Sequence, residues 1–219
     1  MKKSIIVSLV FLSCSFLAKA QEINWQNINT TSRHQVSVHI GADFGTVYGI
    51  GYGYRIGSNH PVVVGAKISA PFGKSLMDDF KLEVTGQTEV WHSDGLSFAV
   101  QPALIMRRYQ SSAALIYNIG AGLTTTFGYF KNKWGVGVEA NYDRNFATYL
   151  EHFKLKEYYP DIQDGWYRST GGTFKFGVKG NYWIKSVGLS AKIGKVYGQN
   201  FSNNPTIPFY AEFSVLNRL

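Results

Sequence analysis

Trp134-Gly135-Val136-Gly137-Val138-Glu139-Ala140-Asn141-Tyr142-Asp143 is two patterns interleaved. Trp134, Val136, Val138, Ala140 and Tyr142 alternate with Gly135, Gly137, Glu139, Asn141 and Asp143. Successive side chains of an extended chain point to opposite sides, so this segment reads as a strand with one apolar, aromatic face and one small or charged face. In a water-soluble sheet the aromatics would be buried and the polar face would meet water. Here the polar face is rich in glycine, which lets strands curl round a narrow interior while the aromatics stay outside.

The same alternation recurs on both sides of this stretch. It covers about 35–43, 47–55, 61–70, 80–91, 96–107 and 113–130 before it, and 172–182, 187–196 and 206–216 after it. Segments of about ten residues with period-two alternation, separated by turn residues, are the signature of transmembrane strands. Trp91 falls on the inward parity of its segment, so a bulge or an earlier strand end is expected there. The connections at 56–60, 92–95, 131–133 and 183–186 are tight, whereas those at 71–79, 145–171 and 197–205 are long. With the N-terminus in the periplasm, every tight turn is periplasmic and the long loops are external, as in bacterial barrels. Tyr54, Trp91, Tyr129, Trp134, Tyr182 and Trp183 gather at the proposed periplasmic ends and suit an interfacial girdle. The fold class expected is all-β: a single antiparallel up-and-down transmembrane β-barrel of about ten strands, with eight to twelve compatible with the pattern.

Composition points the same way. Aromatics make up 16% of the chain, with 23 glycines and only six prolines. No segment after the first twenty residues has the ~18 consecutive apolar residues a spanning helix needs. A closed barrel is the other structure lipid tolerates, because every backbone group is paired within it. Lys2 and Lys3, the apolar run Ile5 to Leu17 and Ala18-Lys19-Ala20 before Gln21 read as a Sec signal peptide. The alternative, lipidation at Cys14, meets a poor consensus in Phe11-Leu12-Ser13. The expected organisation is a signal peptide over 1–20, a short periplasmic tail over 21–33 and the barrel over 34–219. Cleavage removes Lys2, Lys3 and Lys19 and lowers the formal charge from +8 to +5. Export makes nucleic acid an improbable counterpart for this charge and anionic lipopolysaccharide a natural one.

The leader, the ten alternating segments and the closing Ile207-Pro-Phe-Tyr-Ala-Glu-Phe-Ser-Val215 strand together resemble small outer-membrane β-barrel proteins of Bacteroidetes-like, Gram-negative bacteria. The resemblance rests on pattern over the whole mature chain. It implies location in the cell outer membrane and handling by the barrel-assembly machinery. Such proteins commonly end in an aromatic residue, whereas this chain ends Asn217-Arg218-Leu219.

By parity, Lys67, Lys81, Lys175, Lys179 and Lys192 face the lumen with Asp43, Glu83, Glu89, Glu139, Asp143 and Glu212. Asp143 with Lys175, and Glu139 with Lys179, fit one antiparallel register between the seventh and eighth strands. Lys67 and Glu83 suit a similar pairing, and His39 would lie near Glu212 across the seam. A nearly neutral, ion-paired lumen favours a plugged barrel over a porin-like one, since selective pores more naturally carry rings of one sign. Arg107, Arg108, Arg144 and Arg168 fall near external strand ends, suited to lipopolysaccharide phosphates. Tyr149, Phe153, Tyr158, Tyr159, Trp166 and Tyr167 mark the loop 145–171 for surface binding of an extracellular ligand.

Three other readings compete: a small-solute channel, a soluble exported β protein, and an outer-membrane rim protease. Omptin proteases are ten-stranded barrels with Asp-Asp and Asp-His pairs at the rim, and this chain has Asp78-Asp79, Asp143 and His152. The aspartates are adjacent rather than separated by one residue, and no Asp-x-His occurs. The five histidines show no metal-ligand spacing, and neither a nucleophile elbow nor a phosphate loop is present, so no enzyme activity, cofactor or metal is expected.

Overall fold

The computed structural model describes residues 33–57, 62–73, 78–198, 205 and 207–219. The signal peptide and nearly all of the tail expected over 1–33 lie outside the described residues. So do 58–61, 74–77 and most of the connection after 198.

Ten antiparallel strands follow in chain order: β1 (His34–Ala42), β2 (Thr46–Ile56), β3 (Val62–Pro71), β4 (Phe80–Ser93), β5 (Leu96–Gln110), β6 (Ala114–Phe130), β7 (Trp134–His152), β8 (Gly165–Ile184), β9 (Val187–Gly198) and β10 (Phe209–Arg218). Each strand pairs with its sequence neighbours, and β10 pairs with β1, from Gln35 opposite Arg218 to Ala42 opposite Ala211. The all-β, up-and-down barrel read from the alternation is therefore the fold, and its closure leaves no unpaired edge. One short helix, α1 (Leu155–Tyr158), tops the β7–β8 hairpin.

The faces are inverted relative to a soluble protein. Outside, Ile40, Leu104 and Ile193 are 50%, 65% and 58% exposed; inside, Glu89, Asp143 and Lys179 are 0%, 3% and 6% exposed. Sequence parity sets this inversion, because each strand places alternate residues on each face.

Tight turns hold the ladder in register. Asp94 and Gly95 join β4 to β5 with φ of 47° and 87°, the mirror-image turn that matches strand twist and favours Asp-Gly. A Cβ on Gly95 would also press on the Tyr129 ring. The irregularity expected at Trp91 is present: the β4–β5 register shifts between Glu89 and Trp91. That shift turns Trp91 outward, where it stacks against Phe127 at 6.4 Å between ring centroids.

Three expectations need correction. The loop 145–171 is largely strand: β7 runs to His152 and β8 starts at Gly165, leaving 153–164 between them. A register shift at Asn145/Ala147 breaks the alternation at Phe146, which hid the continuation. Trp183 does not join the girdle; it faces inward and is buried. The β7–β8 register also differs from the one that pairs charges directly. Asp143 lies opposite Thr173 and Glu139 opposite Gly177. This register instead sets Trp134 against Tyr182, Val138 against Val178 and Tyr142 against Phe174 on the outside, the aromatic and β-branched pairs that stabilise sheets. Inside, it places Lys179 opposite Gly137, which leaves a long side chain space to swing across the lumen.

Candidate functional site

The candidate site is the lumen and its rim at the end of the β7–β8 loop. Three of the inward ion pairs, and the Tyr210–Glu139 hydrogen bond, reach across the barrel between strands three places apart in the ring. Asp43, just past β1, accepts hydrogen bonds from Lys81 of β4 at 3.0 Å and from Lys175 of β8. Glu212 of β10 takes Lys67 of β3 at 2.5 Å and Lys192 of neighbouring β9 at 3.4 Å. Tyr210 of β10 donates its hydroxyl to Glu139 of β7 at 2.7 Å, with Lys179 Nζ 4.0 Å from the other carboxylate oxygen. Gly194 makes room for this tyrosine, since a Cβ there would lie 2.5 Å from its ring. Ladder pairing alone would not join such strands. A narrow lumen and four-carbon lysine stems do.

Several sequence-derived pairs are re-partnered in consequence. Lys67 does lie opposite Glu83, yet its ammonium goes to Glu212 while Glu83 takes Lys81 at 3.1 Å. Lys175 belongs to Asp43 rather than Asp143. Glu139 and Lys179 do approach each other, diagonally. His39 lies opposite Ser214, with Gly41 opposite Glu212, and its Nε2 shares a 2.9 Å hydrogen bond with Ser69 Oγ.

Arg107 is the clearest correction. It faces the lumen, where it donates to Asp143 at 2.9 Å and to Asn145 at 3.0 Å, so it does not stand on the outer face. Neighbours on a strand face opposite sides, and that rule alone separates Arg107 from Arg108. Thr173 Oγ1 completes the shell of Asp143 at 3.0 Å.

Two spaces remain among these braces. A central cavity of about 160 Å³ is lined by Lys67, Lys81, Glu83, Glu139, Lys192 and Glu212, with room for several waters. Beyond it, at the end of the β7–β8 loop, a vestibule of about 660 Å³ opens between Phe44, Arg107, Tyr109 and Asp143. Asp43 and Lys175 line both spaces. At the end of the short turns the lumen is filled: Phe130, Trp183, Leu216 and Gln35 are buried, and the Arg218 guanidinium lies 3.5 Å from the Trp183 ring centroid. There Glu89 accepts from Ser97 and lies 3.2 Å from His92 Nδ1. Sequence reasoning passed over Phe130, Trp183 and Tyr210 as plug and brace residues. The parity of Tyr210 was visible, but nothing in one strand's pattern names a partner three strands away.

At the rim, Asp164 clamps the base of the β7–β8 loop. Its Oδ1 accepts from the His152 backbone N–H at 2.9 Å and lies 3.0 Å from His152 Nδ1, and its Oδ2 accepts from Lys156. The Lys156 hydrogen bond, with help from His152, lowers the Asp164 carboxyl to about 2. Asp79 accepts the Gln110 backbone N–H at 2.7 Å. The rim pairing of Asp143 with His152 does not form. Nine residues of β7 separate them, roughly 30 Å along the strand, and each has other partners. No group of side chains able to hold a metal ion occurs among the described residues. No protein-family model matches this chain, and no curated protein is significantly similar to it in sequence.

Proposed function

We propose that this chain is an integral outer-membrane barrel, non-enzymatic, whose lumen is braced shut and whose surface function resides at the external end. The observation that carries this reading is the inverted polarity. An apolar face running round a closed sheet far exceeds the exposed patch a soluble monomer tolerates, and the interior holds paired charge beside the apolar fill at one end. Trp91, Tyr129 and Trp134 at one level fit an interfacial girdle. The leader over 1–20 and the short turns opposite longer loops support export and a periplasmic N-terminus.

The braces and the periplasmic fill of Phe130, Trp183 and Arg218 favour a plug over a solute channel. Reconstituted into planar bilayers, the wild-type protein is expected to give no steady conductance. Phe130→Ala/Trp183→Ala is expected to give resolvable steps, because it empties the periplasmic half of the lumen. Steady porin-sized conductance from the wild type would overturn the plugged reading in favour of the channel.

A further inference from the structure

We propose that the outward face at the external end of β5–β8 binds the phosphorylated headgroup of an outer-leaflet lipid, a proposal that rests on the membrane reading above. Charge is almost absent from the outward face of this barrel. Among the described strand residues, the charged side chains on that face are Arg108, Arg144, Arg168, Lys195 and Glu151. Four of the five are cations. The lumen, by contrast, holds both signs in mutual pairs. The outer cations face away from those lumen pairs.

Their height fits a headgroup. Arg144 stands ten residues beyond Trp134 on β7. At ~3.3 Å per residue and a tilt near ~40°, that is roughly 25 Å along the membrane normal, the height of the apolar band. Arg108 stands likewise ten residues beyond Phe98, which pairs with the girdle residues Trp91 and Phe127. Arg168, opposite Ala147, lies beyond Arg144, at the depth of phosphates and sugars outside the acyl chains.

Aromatics frame the arginines. Phe80, Arg108, Tyr117, Tyr149 and Trp166 stand directly opposite one another across β4 to β8. Arg108 Nε donates to the Tyr117 hydroxyl at 3.0 Å, and Tyr149 and Trp166 pack at 5.4 Å between centroids. Phe146 is 53% exposed between Arg144 and Ala147. Guanidinium forks suit phosphate oxygens, and exposed rings at this depth suit the upper acyl chains and sugar faces. Anionic and apolar contact side by side fits a phosphorylated glycolipid rather than a soluble anion.

The test uses the full mature chain, folded in detergent and read by native mass spectrometry. The probes are bisphosphorylated lipid A, the same lipid enzymatically dephosphorylated, and inorganic phosphate. The wild type is expected to retain lipid A at least tenfold better than the dephosphorylated lipid. Arg108→Ala/Arg144→Ala/Arg168→Ala is expected to lose that preference, while excess inorganic phosphate leaves it intact in the wild type. Equal retention of the two lipids, an unchanged preference in the folded triple variant, or displacement by inorganic phosphate would each overturn the proposal. Heat-dependent gel migration of each sample reports whether the barrel is folded, so failure of the membrane reading shows itself separately. Should the triple variant not fold, Arg144→Ala and Arg168→Ala singly are each expected to weaken the preference severalfold, and no loss in either would count against it.

Discussion

Asp43 shows how much of this barrel's interior depends on single residues. One carboxylate joins β1 to β4 and β8 through Lys81 and Lys175, and the same side chain divides the central cavity from the vestibule. Asp43 is 28% exposed, so its removal leaves two part-buried lysines less well compensated at ~1–3 kcal/mol, below the ~3–5 kcal/mol of a fully buried pair. Asp43→Asn is therefore expected to lower unfolding stability in detergent by ~1–3 kcal/mol, read from denaturant midpoints. Asp43→Leu combined with Lys175→Met should recover part of the loss, because Lys175 leaves with its carboxylate and Lys81 keeps Glu83 at 3.1 Å. Equal stability of Asp43→Asn and wild type would show that the brace contributes nothing. The sequence placed Asp43, Lys81 and Lys175 on the inner face by parity alone. It did not pair them, because reach across a lumen depends on ring closure and diameter.

At the level of elements, β7 and β8 differ most from their sequence pattern. They continue past the bulge at Phe146 as a hairpin whose tip is held by Asp164 against His152 and Lys156. A carboxyl held near 2, below its ordinary 3.8, contributes its stabilisation fully above 3.8 and loses it as the pH falls through about 2. The clamp should thus persist unchanged from neutral pH down to about pH 4 and release only below that. A carboxyl ¹³C titration of selectively labelled Asp164 checks this, and a midpoint at or above 3.8 would exclude the clamp. The hairpin was illegible because a register shift at Phe146 interrupts a period-two pattern as a loop would. The register between β7 and β8 was illegible for another reason: charge matching and outer-face pairing favour alignments two residues apart, and the one adopted sets Trp134 opposite Tyr182 and Tyr142 opposite Phe174. The shift at Trp91 was legible, because a tryptophan on the glycine and charge face contradicts its surroundings.

For the whole molecule, strand number, closure order and the facing of nearly every residue were readable from alternation, since a barrel repeats one local rule ten times. What alternation cannot supply is the third dimension of the lumen: the Tyr210–Glu139 contact, the Arg107–Asp143 pair and the Trp183–Arg218 stack join residues that no local period relates. The outer surface was half legible. Arg108, Arg144 and Arg168 face outward, whereas Arg107 turns inward to serve the lumen. The central claim, a closed barrel whose apolar outside faces lipid, is tested most directly by heat-modifiable migration of the native protein from fractionated cells. The account predicts that the protein fractionates with the outer membrane and, unheated in detergent, migrates at a different apparent mass from the boiled sample. Recovery in the periplasmic fraction, with identical migration before and after boiling, would contradict it.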